Sequence, residues 1–228
     1  MAPTLILYGS KARGDARPNS DVDLLYALEG EKLQPPTHAS GVSVHRYPKG
    51  WLEDSARAGT LFAYHVAFEG VPLEDPEHFI DRLRKMFRAK ASYEDEIKIG
   101  ALVMKLLLEA DWGTNFEARR RFFWALRTVL IALSASKGRP VFATTILEAL
   151  SGVTGVAALI DNREHATFGA CHAVGAMVLA KYLPAAVAEL EKRGLREVLI
   201  ASGGIGRDSV RVLEEGVATA DIGLAIYL

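Results

Sequence analysis

Cysteine is almost absent: the 228 residues include one, Cys171. No internal disulfide can form, and no Cys/His cluster has the spacing of a zinc site. That scarcity fits a reducing compartment. Neither sign of charge is in excess, since 27 Lys and Arg stand against 28 Asp and Glu. This excludes an overall field that would draw the chain to DNA, RNA or an anionic membrane, so any site for a polyanion must be local. Long apolar runs are missing too. The longest, such as 129–133 and 175–180, fall well short of the ~20 residues that cross a bilayer. The first residues lack a basic segment followed by a cleavable apolar stretch, so no signal peptide is expected. There is no internal repeat and no low-complexity tract. Together these absences predict a soluble, cytoplasmic protein.

What is present is an ordinary core. Half the residues are apolar, enough for one large domain or two small ones. Three short β-type runs lie near the start, at 4–8, 22–27 and 41–47, and could pair as one small sheet. The stretch 29–40, with Pro35-Pro36, reads as an exposed connection. From Trp51 to Phe68 the apolar residues fall at helical spacing, and Gly70-Val71-Pro72 ends the run. Phe79, Ile80, Leu83, Met86 and Phe87 make one apolar helix face backed by Arg82, Arg84, Lys85 and Arg88. Further helical patterns cover roughly 93–110, 116–136, 144–150 and 167–192. In the tail, 197–201 and 222–227 read as strands around a helix at 208–215. The predicted fold class is therefore α+β: a small mixed sheet domain at 1–75, a helical bundle at 76–194 and a short β-α-β-like tail at 195–228.

The densest chemistry lies in Gly9-Ser10-Lys11-Ala12-Arg13-Gly14 and Ser20-Asp21-Val22-Asp23-Leu24. Gly9 ends a strand where the backbone must turn tightly and approach a ligand closely. Ser10 opens a helix whose first N–H groups have no internal partner and can hold phosphate oxygens. Asp21 and Asp23, two apart on a strand, should share a face, with Val22 turned the other way into the core. Adjacent anions repel, and a hard dication between them removes that cost. Mg²⁺ takes one or two carboxylates together with phosphate oxygens and water. The pattern therefore points to a metal-bound triphosphate.

On these residues the chain resembles the DNA polymerase β-like nucleotidyltransferase superfamily, above all its minimal members with Gly-Ser, ten residues, then Asp-x-Asp. Gly9-Ser10 and Asp21-Val22-Asp23 meet that spacing, and Ala12-Arg13-Gly14 and Ser20 stand in register. The resemblance covers about residues 4–27, and the helical remainder is similar to the acceptor-selecting domains that such proteins often carry. It implies a nucleotidyltransferase with Asp21 and Asp23 as catalytic and metal-binding residues. Gly9, Ser10, Arg13 and Ser20 would bind the nucleotide, Mg²⁺ or Mn²⁺ would be the cofactor, and an NTP such as ATP the substrate. The acceptor would be a hydroxyl on a small molecule or a partner protein, less so a nucleic acid. The alternative is a degenerate, non-catalytic nucleotide-binding domain acting as an antitoxin-like partner or nucleotide sensor.

Two departures from the family bear on that choice. The superfamily supplies a third carboxylate from a neighbouring strand, whereas 41–47 offers Ser43, His45 and Tyr47. His45 could serve as base or metal ligand, or be a strand residue with no chemical duty. Glu53, Asp54, Glu69 and Asp75 lie nearby in sequence but lack the strand context. The first strand also has no helix before it, so one face of the sheet should be thinly covered. Elsewhere, the basic residues at 82–90, and Arg119-Arg120-Arg121 with Arg127, could close over a triphosphate but read better as solvated helix faces. Cys171 reads as a buried small residue, and Gly203-Gly204-Ile205-Gly206 as a connecting turn. No Arg and His in the helical region have the spacing of a ribonuclease pair.

Overall fold

The computed structural model describes residues 2–18, 20–30, 34–110, 112–183 and 185–216. The chain divides into two compact units, Met1–Ala91 and Ser92–Leu228. The architecture is mixed α+β, with every described strand in the first unit.

In the first unit β1 (Thr4–Tyr8) turns directly into α1 (Gly9–Arg13), and β2 (Val22–Leu28), β3 (Gln34–Ala39) and β4 (Val42–Pro48) follow. Next come α2 (Lys49–Arg57), α3 (Leu61–Tyr64), a π-helical turn at His65–Glu69, β5 (Val71–Glu74) and α4 (Phe79–Met86). The sheet order is β3-β4-β2-β1-β5. Only β2 and β4 pair in parallel, and the other pairs are antiparallel. A connection between parallel neighbours needs length, and here β3 is built into it as an edge strand.

Alternation sets the layers. Thr4, Ile6 and Tyr8 of β1 are buried together with Leu25 and Ala27 of β2 and Ser43, His45 and Tyr47 of β4. Against that face sit Leu52, Ala56, Phe62, Ala63 and Val66 from the helices, all nearly inaccessible. The opposite face, with Leu5, Leu7, Leu24, Tyr26 and Val44, is half-exposed. Asp75 secures the start of α4 by accepting from the backbone N–H groups of Phe79 (2.7 Å) and Ile80 (3.0 Å), and it also accepts from the Thr4 hydroxyl.

Two short elements differ from the sequence reading. Residues 34–39 form β3 although Pro35-Pro36 suggests a bare connection, and 71–74 form β5 although Pro72 marks a stop. Both are edge strands, where a proline can turn its missing N–H away from the ladder.

The second unit runs α5 (Glu94–Leu108), α6 (Phe116–Ser136), α7 (Thr144–Ser151), α8 (Val156–Asp161), a 3₁₀ turn at Arg163–His165, α9 (Phe168–Tyr182), α10 (Ala185–Ala188), α11 (Lys192–Ser202) and α12 (Gly204–Glu215). Three acids in the first turn of α5 complement its dipole. The Asn115 side chain caps α6 by accepting from Ala118 N–H at 3.0 Å. α5 and α6 approach closely at Gly100, where a Cβ would lie 2.8 Å from Val129 Cγ2. Gly175 of α9 meets Phe122 of α6 in the same way, at 2.9 Å.

The strand expected at 197–201 is instead the second half of α11. Leu195 and Leu199, four apart, are both fully buried, and Arg193 bonds Glu197 at 3.0 Å on the outside. Helical spacing and an i,i+4 ion pair thus outweigh the β-prone Val-Leu-Ile run. Gly203-Gly204 joins two helices, not a strand and a helix. The strand expected at 222–227 lies outside the described residues. The helix expected at 167–192 ends at Tyr182, because Leu183, which precedes Pro184 in the chain, is extended (ψ 122°), and the short α10 and the start of α11 follow it.

Candidate active site

The site begins where β1 hands over to α1. Gly9 has φ +75°, a left-handed conformation open to glycine at little cost, and a Cβ there would collide with Asp23 Oδ2, the Asp23 Cγ lying 3.2 Å away. The glycine thus serves as the surface on which the Asp23 carboxylate rests. The sheet register explains the approach: Tyr8, Asp23 and Ser43 stand side by side across β1, β2 and β4. Asp21 lies one residue before β2, where the Val22 N–H donates to the Gly41 carbonyl at 2.8 Å. Its Oδ1 would be 3.8 Å from a Cβ on Gly41. Ser40 and Gly41, at φ 48° and 74°, form the two-residue turn between β3 and β4.

One expectation about this strand needs correcting. Val22 does not point into the core; Leu25 and Ala27, on the Asp23 side, are fully buried while Val22, Leu24 and Tyr26 are half-exposed. Asp23 therefore heads the helix-covered face of the sheet. The reason is that α2 and α3 lie on that face, which the chain reaches only after β4.

The remaining expected site residues divide. Ser10 is half-exposed at the second position of α1. Arg13 is held: its guanidinium bonds Asp15 at 3.1 Å and Glu69 at 3.4 Å. The same Glu69 oxygen is 2.7 Å from His65 Nδ1. Arg13 thereby ties α1 to the π-helical turn. The Ser20 hydroxyl accepts from the Arg17 N–H at 2.9 Å and closes the loop ahead of Asp21.

The row beside the aspartates carries no acid. Ser43 faces Asp23, and its hydroxyl is hydrogen-bonded to His38 Nδ1 at 2.8 Å. His45 is 6% exposed. It meets Tyr8 edge-on at 5.8 Å and stacks with Tyr47 at 6.4 Å. Its Nδ1 is buried without a hydrogen-bond partner. Burial first, then the neighbouring His38, lowers its pKa to about 4, so it is neutral at pH 7. Burial pushes the Tyr8 phenol well above its ordinary range, and the negative charge of Asp23 adds to the shift. The other acids named from sequence are engaged elsewhere: Glu53 and Asp54 with Arg57, Glu69 with Arg13 and His65, and Asp75 at the start of α4. Among the described residues no group of three or more His, Cys, Asp or Glu side chains is placed to hold a metal. No helix among them is long and apolar enough to cross a membrane.

Residues 4–94 match the family model of the nucleotidyltransferase domain. That segment takes in the whole sheet, both aspartates and α4. The match falls on the first unit and is consistent with a nucleotidyltransferase domain of the DNA polymerase β-like superfamily. A search of curated proteins finds no match.

Proposed function

We propose that the first unit binds a nucleoside triphosphate at Gly9 and Ser10 and transfers its nucleoside monophosphate to an acceptor hydroxyl. The observation that carries this reading is the placement of the Asp23 carboxylate against a left-handed Gly9, with Asp21 two residues earlier in the same strand entry. In the reaction the hydroxyl oxygen bonds to the α-phosphorus, the bond from that phosphorus to the bridging oxygen breaks, and pyrophosphate leaves. Gly9 and Ser10 would bind the outer phosphates. Asp21 and Asp23 would hold Mg²⁺ or Mn²⁺: they are hard oxygen donors, in the number such an ion takes from protein when a triphosphate completes its shell. When bound, the ion supplies charge neutralisation at the transferring phosphorus. The acceptor is a hydroxyl on a small molecule or a partner protein.

A second reading has its own support. Ser43 stands opposite Asp23 and neutral His45 lies one row on, where the family carries an acid. A domain so altered would bind nucleotide without turnover, as an antitoxin-like partner or nucleotide sensor. Incubation with labelled ATP, GTP, CTP and UTP and either ion separates the two. Pyrophosphate release that is lost in Asp21→Asn supports transfer. A thermal shift with nucleotide but no release supports the sensor. Neither shift nor release with any of the four nucleotides overturns both.

A further inference from the structure

The first unit holds a second concentration of charge away from the aspartates. Arg57 at the end of α2, Arg82, Lys85 and Met86 of α4, and Arg88 just beyond it line a cavity of about 440 Å³. None of the five belongs to the Gly9, Asp21, Asp23 set. Their charges are only partly balanced. Arg57 bonds Asp54 at 2.7 Å and Glu53 at 3.6 Å, and Arg82 reaches the same Glu53 at 3.8 Å. Among the described residues neither Lys85 nor Arg88 has a carboxylate within ion-pair distance. The Arg88 guanidinium is oriented by the carbonyls of Lys85 (2.8 Å) and Phe87 (3.0 Å). The main chain fixes this corner as well, because Arg88 N–H donates to Ala56 carbonyl at 3.0 Å. Gly59, at φ +65°, lets the α2 end come so close that a Cβ would collide with the Arg88 carbonyl.

Four cations thus share one concavity with two carboxylates as partners, and mutual repulsion opposes that arrangement until an anion joins it. From this geometry we infer that the cavity is a binding site for a small ligand bearing two or more linked phosphates. Compact size and rim charge select against an extended polyanion. Exposed Asp54 pairs with Arg57 of the lining, no aromatic side chain lines the cavity for stacking, and the whole chain is slightly acidic. The guanidinium forks match pairs of phosphate oxygens, and the volume lies within the range of small-molecule sites. The inference is independent of nucleotidyl transfer.

The test uses the full chain in EDTA, so that no divalent ion serves Asp21 and Asp23, with tripolyphosphate as the calorimetric probe. Wild type should bind it, and so should Asp21→Asn. The double variant Lys85→Gln/Arg88→Gln should weaken binding at least about tenfold, the cost of losing one charged hydrogen bond. Arg84→Gln removes a neighbouring charge whose Nε donates to the Ala67 carbonyl, outside the cavity lining, and should leave affinity unchanged. No binding to wild type, or equal losses in the double variant and Arg84→Gln, overturns the site. So does tight binding of a single-stranded RNA oligonucleotide, sensitive to the double variant, while tripolyphosphate is ignored.

Discussion

At the scale of single residues, Gly9 and His45 make the clearest demands. Gly9→Ala would force a left-handed non-glycine and press a methyl group into the Asp23 carboxylate. The expected cost is about 1–2 kcal/mol of stability, with nucleotide-dependent thermal shift lost even where the fold persists. A variant that keeps a full shift would show that Asp23 can move without consequence. His45 makes a prediction about acid. Its folded pKa, about 4, lies below the ordinary 6.5, so the unfolded chain binds the proton that the folded one refuses. Stability is therefore full above about pH 6.5 and declines as pH falls toward 4, by roughly 3 kcal/mol from this group. Urea denaturation at pH 7 and 4.5 should show a smaller drop for His45→Phe than for wild type; equal drops would remove His45 as the cause. The candidate residues Gly9, Ser10, Asp21 and Asp23 stand out in the sequence by their spacing. That the acid row continues as Ser43 and His45 followed from strand alternation. Which face was covered did not, because after Asp23 apolar residues occupy both faces, Leu24 and Tyr26 on one and Leu25 and Ala27 on the other.

At the scale of elements, the long helices were readable because their apolar periodicity runs for many turns, as in α5 and α6. The edge strands were not. β3 and β5 carry prolines and little buried surface, so their only signature is pairing with β4 and β1, which no local pattern announces. Nor could sequence show that Arg13 joins α1 to the π-helical turn, a contact spanning 56 positions. That bridge should be measurable as coupling. In a double-mutant cycle with Arg13→Gln and Glu69→Gln, each single change should destabilise and the pair should destabilise by less than their sum, with an interaction of about 1 kcal/mol. Strict additivity would mean that the contact does not hold the two elements together.

At the scale of the whole molecule, each unit has its own core, and that of the second is locked by a charge pair. Arg121, read from sequence as part of a solvated basic face, is 1% exposed and bonds Asp208 of α12, which is nearly as buried. The triple-arginine run hides this, because only the third arginine falls on the inward side of α6. Removing one partner strands the other away from water, so Asp208→Asn should lower stability by about 3–5 kcal/mol. Thermal denaturation checks this, and a change under 1 kcal/mol would mean that the pair is dispensable. Since Asp208 belongs to the second unit, nucleotide uptake by the first should survive in the folded fraction.

The prolines that obscured β3 and β5 protect the chain at high concentration. Pro35, Pro36 and Pro72 have no N–H to donate, so neither rim of the sheet offers an unbroken template on which another copy could add its own strand. Growth of fibrils by edge-to-edge stacking is thereby discouraged at both ends, while the strand that bears Asp23 stays sheltered at the centre.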